Sequence, residues 1–159
     1  MIVSFEKKID PYPHWEYLNQ ELNSLIRIVP ERGGLITEWR SNGKELLYFD
    51  KERFLDKDKS VRGGIPILFP ICGDLLDGYL VNGKRYFLKQ HGFARDLPWS
   101  ISLLKDKSGI RLKLSDSKES HAFFPFFFTL LMDVRLKEKA LQIVVKIYNQ
   151  SHYSMPFSF

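Results

Sequence analysis

Short apolar segments separated by turn residues recur along much of the chain. Ser24–Val29 and residues 35–40 and 45–49 are divided by glycine-containing turns at roughly ten-residue spacing, and residues 110–114 alternate strictly between apolar and basic side chains. A side-chain period of two is typical of β-strands. Apolar residues at i, i+3 and i+4 over long windows, which a helical domain needs, are absent. The pattern predicts an all-β fold, an antiparallel β-sandwich.

Three hairpins are expected within this sandwich, at residues 79–88, 98–114 and 124–149. The first carries Asn82-Gly83 between apolar and aromatic residues, which is a strong hairpin signal. In the last strand, residues 141, 143, 145 and 147 are apolar and share one face. The aromatic run at residues 123–128 is more typical of core and edge packing than of a ligand platform.

The remaining segments have weaker patterns. Pro11 and Pro13 interrupt the first 22 residues, and a short turn of helix is expected within residues 14–22, with His14 at the surface or in packing. Residues 50–60 are highly charged and predict an exposed loop. Residues 65–70 are apolar but contain two prolines, so we expect a buried, extended loop that fixes Arg62.

Size and charge narrow the function classes. The 159 residues are enough for a single domain, 1–159, and the net charge of +5 with a pI near 9.3 fits a mixed-charge surface that tolerates small anions. The sequence has no stripe of lysine and arginine with exposed aromatic residues, which nucleic-acid binding would require. It also has no apolar stretch as long as a membrane helix. We therefore expect neither a nucleic-acid nor a membrane partner.

The numbers and positions of cysteine and histidine limit disulfide and metal chemistry. The single cysteine, Cys72, rules out an internal disulfide and favours a reducing, cytoplasmic location. Because it follows an apolar run, Cys72 is expected to be a small buried hydrophobic residue and not a nucleophile. The four histidines are isolated in the sequence, so no metal site is predicted.

Two clusters stand out between residues 61 and 99. They are Arg62-Gly63-Gly64-Ile65-Pro66 and Gln90-His91-Gly92-Phe93-Ala94-Arg95. Each places an arginine, whose planar fork suits phosphate or carboxylate, near glycine, which lets backbone approach a ligand. The hairpin between them predicts that Arg62 and Arg95 converge on one cleft near Gln90 and His91. By residue type alone, a surface ion pair of Arg62, backbone bonding by Gln90 and His91, and an Arg95–Asp96 pair remain alternatives.

Together these clusters resemble the aldose 1-epimerases (mutarotases), and among them the branch acting on hexose 6-phosphates. The resemblance continues through residues 149–156 into Met155-Pro156-Phe157. It implies a galactose mutarotase-like supersandwich and an isomerase that interconverts α and β anomers of an aldose or hexose 6-phosphate by acid–base ring opening. It favours a substrate-binding role for Arg62, Gln90, His91 and Arg95, with no cofactor.

The resemblance also implies that part of the pattern is missing. In the family, the catalytic histidine and glutamate follow the stretch that ends here at Phe159, so the chain is expected to be an incomplete, N-terminal portion of the domain. His91 is then the one candidate catalytic residue near neutral pH. We expect little activity from the chain alone and possible self-association through uncovered sheet. The alternative is a non-catalytic β-sandwich that binds sugar or sugar phosphate, or an inactive remnant.

Overall fold

The computed structural model describes residues 2–159 as two antiparallel sheets and a separate hairpin. The strands are β1 (Val3–Lys8), β2 (His14–Asn19), β3 (Ser24–Val29), β4 (Leu35–Ser41), β5 (Lys44–Glu45), β6 (Tyr79–Val81), β7 (Lys84–Tyr86), β8 (Ser100–Leu103), β9 (Ile110–Ser115), β10 (Phe128–Lys137) and β11 (Ala140–Asn149). The helices are short: α1 (Lys51–Leu55), α2 (Lys118–His121) and a 3-10 turn at Pro30–Arg32.

Strand order follows the chain closely in both sheets. The first sheet has the order β1-β2-β3-β4-β5, the second has the order β11-β10-β9-β8, and β6 and β7 form a two-stranded pair. The predicted all-β, antiparallel sandwich is confirmed. The three hairpins are confirmed as well, since β6 pairs with β7, β8 with β9, and β10 with β11.

One hydrophobic core joins the two sheets. Tyr17, Ile26 and Ile36 from the first sheet and Leu112 and Leu130 from the second are fully buried in it. Burial of large apolar side chains is the main favourable contribution to folding. A cluster of phenylalanines fills one side of this core: Phe69, Phe93, Phe124 and Phe128 lie with ring centroids 5.3–6.1 Å apart. The packing role predicted for the aromatic run is therefore confirmed.

Two secondary-structure predictions are wrong. Residues 14–19 form strand β2, not a turn of helix, because β2 pairs with both β1 and β3 and buries His14 completely. The exposed loop predicted for residues 50–60 contains helix α1, which begins where the Asp50 side chain accepts a hydrogen bond from the Arg53 N–H at 2.9 Å. Such N-caps satisfy backbone donors that have no partner inside the helix.

Two smaller predictions also need correction. Of the strand expected at residues 45–49, only Glu45 lies in a strand, the two-residue β5, and Phe49 forms an isolated bridge with Gly63. Cys72 is exposed, not buried. Its backbone N–H donates to the Ser158 Oγ at 2.8 Å, and its side chain lies at the surface although Ile71 just before it is buried.

None of the helices within residues 2–159 is long and apolar enough to cross a membrane. The longest of them, α1, has five residues, whereas about 20 apolar residues are needed to span a bilayer. The cytoplasmic location predicted from the cysteine content stays a prediction.

Candidate active site

A cavity of about 770 Å³ opens beside the first sheet. Three segments supply its walls: residues 32–35 from the turn between β3 and β4, residues within 57–68, and residues within 91–96. These segments are distant in sequence and have little regular secondary structure. Their placement therefore depends on how each loop is anchored to the sheets.

The turn between β3 and β4 lies directly against the third segment. Gly33 donates its N–H to the Leu97 carbonyl at 3.2 Å, and Trp99 donates its N–H to the Pro30 carbonyl at 2.9 Å. Gly33 has φ +72°, and a Cβ atom at this position would lie 2.1 Å from the Arg95 carbonyl oxygen. Only glycine allows this close approach of the two backbones, so Gly33 places the Arg95 main chain at the cavity.

Phe69 anchors the same segment from the other side. Its carbonyl accepts the N–H groups of Phe93 and Ala94 at 3.0 and 3.1 Å. A Cβ atom on Gly92, which has φ +70°, would lie 2.2 Å from this carbonyl oxygen. The Gln90–Arg95 cluster is thereby held against the buried loop that the sequence analysis predicted for residues 65–70.

Arg62 lines the cavity, and backbone hydrogen bonds fix the segment that carries it. Its carbonyl accepts the Asp50 N–H at 3.0 Å, and Gly64 donates to the Tyr48 carbonyl at 2.8 Å. The Arg62 side chain is exposed and makes no hydrogen bond or ion pair with any of the described residues. The alternative of a surface ion pair is therefore wrong, and the guanidinium is available to a ligand.

Arg95 is oriented by Gln90 instead of by Asp96. Its Nη2 donates to the Gln90 carbonyl at 2.8 Å, and within residues 2–159 it forms no ion pair with Asp96. Arg95 lines the cavity, whereas the exposed Gln90 does not. The structure thus brings together Arg62, His91 and Arg95, and it places the Gln90 side chain outside this group.

His91 is half-buried and has an unusual backbone conformation, with φ +65°. Its N–H donates to the Gly73 carbonyl at 2.7 Å, and its ring Nδ1 accepts the Gly73 N–H at 3.0 Å. Positive φ in a residue other than glycine occurs where the surroundings enforce it, often at functional sites. The ring bonds to backbone, as one of the alternatives predicted, and His91 also lines the cavity.

Several charged cavity residues were missed in the sequence analysis. Arg32, Lys57 and Lys59 add positive charge to the lining, and Asp96 supplies its one carboxylate. Arg32 is held by its position 4.7 Å from the Phe54 ring centroid, and Lys59 pairs with Asp56 at 2.8 Å. The one available signal was the Arg-Gly-Gly motif, which occurs at residues 32–34 as well as 62–64.

The lining therefore combines five cationic side chains with one histidine and one carboxylate. Such a set suits an anionic ligand that also carries hydroxyl groups, because guanidinium groups donate in pairs to phosphate or carboxylate oxygens. Within residues 2–159, no three His, Cys, Asp or Glu side chains come together as a metal site requires.

Comparison of the sequence with protein families gives one clear match. Residues 21–159 match the model of the family described as Aldose 1-epimerase. Two curated relatives, from Cenchrus ciliaris and Escherichia coli K12, carry the name "Putative glucose-6-phosphate 1-epimerase". Both are 31% identical, over 80% and 66% of this chain. The chain spans 39% and 34% of their lengths.

Solved structures agree with this match. The Slr1438 protein from Synechocystis sp. PCC 6803 is 42% identical with a TM-score of 0.85, and the similarity covers 99% of this chain and 55% of that one. A galactose mutarotase-like protein from Lactobacillus casei is 28% identical with a TM-score of 0.69, covering 84% and 44%. The galactose mutarotase-like fold is therefore shown, over about half of each neighbour.

Proposed function

Because the chain belongs to the aldose 1-epimerase family, we propose that it forms the substrate-binding part of a 1-epimerase acting on a hexose 6-phosphate. In this proposal, residues 1–159 are a single β-sandwich domain that corresponds to the N-terminal portion of the family's domain. Arg62 and Arg95 bind the anionic group, and His91 contacts the sugar.

The observation that carries the choice of substrate is the charge of the cavity. Among the described residues, five cationic side chains and the carboxylate of Asp96 line it; Lys59 is paired with Asp56, whereas Arg62 has no partner. A neutral aldose offers no counter-charge to such a lining, whereas a phosphate monoester does. The names of the curated relatives, which refer to glucose 6-phosphate, agree with this preference.

The reaction needs more than the cavity provides. Opening the sugar ring at C1 requires a base that removes the C1 hydroxyl proton and an acid that protonates the ring oxygen, with the roles reversed after rotation about C1–C2. His91 can serve in only one of these positions. We therefore propose that the acid and the base come from the part of the family fold that this chain does not span. The Gln90 side chain remains a predicted contact.

Binding is testable on the purified chain. We expect Arg62→Ala to weaken glucose 6-phosphate binding about tenfold to a hundredfold, since a hydrogen bond to a charged group is worth roughly 1.5–3 kcal/mol. Titration calorimetry would measure this. The matched control is Arg85→Ala, an exposed arginine on β7 that lies outside the cavity. Equal affinities for glucose and glucose 6-phosphate would contradict the proposed phosphate contact.

Activity is tested separately, by anomer-resolved NMR of glucose 6-phosphate. We expect little mutarotation from the chain alone, because general acid–base assistance contributes roughly 10²–10⁴-fold per group. Joining the chain to the remaining segment of the Synechocystis protein should raise the rate. Full activity of the chain alone, lost in His91→Ala, would show that its own residues are sufficient. Binding without activity in both forms would favour the non-catalytic sugar-phosphate binder.

A further inference from the structure

The main chain of Gly73 binds His91 at two points. The Gly73 carbonyl accepts the His91 N–H at 2.7 Å, and the Gly73 N–H donates to the His91 Nδ1 at 3.0 Å. We call this pair of hydrogen bonds the Gly73 clamp. A neutral imidazole carries one proton, and the nitrogen that accepts a hydrogen bond cannot be the one that carries it.

We propose that the Gly73 clamp fixes His91 in the tautomer protonated at Nε2, so that His91 acts in the cavity as a hydrogen-bond donor and not as a base. The Gly73 N–H is a permanent donor that occupies the Nδ1 lone pair. The remaining ring nitrogen, Nε2, has no hydrogen-bond partner among the described residues, and His91 is one of the residues that line the cavity.

This assignment restricts the chemistry of His91. In the neutral ring the Nε2 carries the proton, and in the doubly protonated ring it carries one as well. Nε2 is therefore a donor in both states, and it can bind a sugar hydroxyl or ring oxygen. Removing a proton from the C1 hydroxyl would need an unprotonated Nε2, which the Gly73 clamp opposes. The identity of the sugar rests on the proposed function, whereas the tautomer does not.

The loop that carries Gly73 is itself tied to the C-terminal segment. The Cys72 N–H donates to the Ser158 Oγ at 2.8 Å, and the Ser158 N–H donates to the Pro70 carbonyl at 2.9 Å. The Phe157 ring packs on Phe69 with centroids 6.1 Å apart. Ser158 is thereby a positioning residue: it holds the backbone at residues 70–72, and that backbone leads directly into the Gly73 clamp.

The tautomer can be read directly by NMR of the 159-residue chain labelled with ¹⁵N-histidine. Long-range ¹H–¹⁵N spectra distinguish the two neutral tautomers, because an unprotonated ring nitrogen resonates far from a protonated one. His91→Gln identifies the His91 signals among the four histidines. Near pH 8 and without ligand, we expect an unprotonated Nδ1 and a protonated Nε2 in His91. A protonated Nδ1 would overturn the proposal.

Two serine variants test the positioning role. Ser158→Ala removes the oxygen that accepts the Cys72 N–H, and we expect the two His91 ring nitrogen signals to move toward each other as the minor tautomer becomes populated. Ser154→Ala is the matched control, since Ser154 is exposed and has no hydrogen bond among the described residues. Thermal unfolding should show that both variants stay folded. Unchanged His91 signals in Ser158→Ala would remove Ser158 from the proposal.

These readouts separate the two proposals. The ring signals are recorded without sugar, so a failure to bind glucose 6-phosphate leaves them valid. Conversely, a protonated Nδ1 in a chain that binds glucose 6-phosphate through Arg62 would overturn the tautomer assignment and leave the proposed function standing.

Discussion

In the first sheet, one arginine side chain forms ion pairs with two buried glutamates. Arg27 lies 3.3 Å from Glu16 and 2.5 Å from Glu38, both of which are buried. Burial raises the pKa of Glu16, but hydrogen bonds from Lys8 and Arg27 outweigh it and leave that pKa lowered. For Glu38, burial prevails over the attraction of Arg27 and Arg40, and its pKa is raised. Arg27 is therefore the one cation among the described residues that contacts both carboxylates, while Lys8 adds to it at Glu16 and Arg40 at Glu38.

We expect Arg27→Met to destabilise the chain by about 1.5–3 kcal/mol at pH 7, because it removes a charged hydrogen-bond donor from Glu16 and Glu38 and leaves each buried carboxylate with one remaining cation, Lys8 or Arg40. The control is Arg40→Met, whose side chain is 44% exposed and pairs with Glu38 alone. Urea unfolding would measure both. A smaller loss in Arg27→Met than in Arg40→Met would contradict the central role of Arg27.

A second pair predicts a pH dependence of stability. The Arg111 guanidinium donates to both oxygens of Asp133 at 2.6 and 2.7 Å, and these hydrogen bonds lower the pKa of Asp133. The stabilisation is therefore present above the usual pKa of aspartate, about 3.9, and is lost as the pH falls through the lowered value. We expect Asp133→Asn to cost about 1–3 kcal/mol at pH 7 and much less near pH 2.

The matched control for this pair is Asp74→Asn, an exposed aspartate whose side chain has no partner among the described residues. Its free energy of unfolding should follow the wild type at both pH values. A constant difference between Asp133→Asn and the wild type from pH 7 to pH 2 would show that the lowered pKa does not stabilise the fold.

Strand β10 illustrates how a single element serves two environments. It lies between β9 and β11, and its even-numbered residues from 128 to 136 are buried in the core. Leu131 lies on the opposite face, where Lys113 and Lys146 are its cross-strand neighbours. Because side chains alternate along a strand, adjacent leucines experience different surroundings.

We expect Leu130→Ala to cost about 2–5 kcal/mol, the usual range for deleting a buried leucine side chain. Leu131→Ala removes the same atoms from a half-buried position and should cost well under half as much. Urea unfolding of the two variants gives the comparison. Equal losses would mean that the outer face of this sheet is packed as tightly as the core.

For the molecule as a whole, exposed apolar side chains occur at several places, and two of them lie together beside the β6–β7 hairpin. A groove there is lined by Leu80, Phe126, Tyr153, Met155 and Pro156, among others. Leu80 and Tyr153 are 61% and 44% exposed. Exposed apolar side chains that lie close together favour association between copies of a chain.

We therefore expect the purified chain to self-associate, giving species larger than its 18.7 kDa mass in sedimentation velocity. Leu80→Glu should shift the distribution toward monomer. Leu76→Glu, at an 86% exposed loop position outside the groove, is the control and should not. A stable monomer of the unaltered chain across micromolar concentrations would contradict this prediction.

Much of the architecture could be predicted because it depends on neighbours in the sequence. Alternating side chains fix which face of a strand is buried, and Asn82-Gly83 specifies a tight turn, so β3, β4 and the three hairpins were correctly located. The Arg62 and Arg95 clusters were recognisable for the same reason, because each is a short contiguous motif whose spacing carries the family resemblance.

The errors lie where distant segments decide the outcome. β2 is a strand because β1 and β3 pair with it on either side, and its charged residues are buried because Arg27 and Lys8 lie across from them. Cys72 is exposed, and the loop that carries it is bonded through the Cys72 N–H to Ser158, 86 residues away. Contacts between distant segments produce no periodic pattern in the local sequence, so they could not be predicted from it.

The cavity follows the same division. Local motifs supplied Arg62, His91 and Arg95, but only tertiary contacts could show that Arg32, Lys57 and Lys59 join them and that the Gln90 side chain does not. The orientation of His91 depends on Gly73, which lies on another loop. Residue types and short-range periodicity can be read from the sequence alone, because they involve only neighbouring residues. The clustering of charges around the cavity and the tautomer of His91 depend on the tertiary structure, because they require distant backbone segments to pack together.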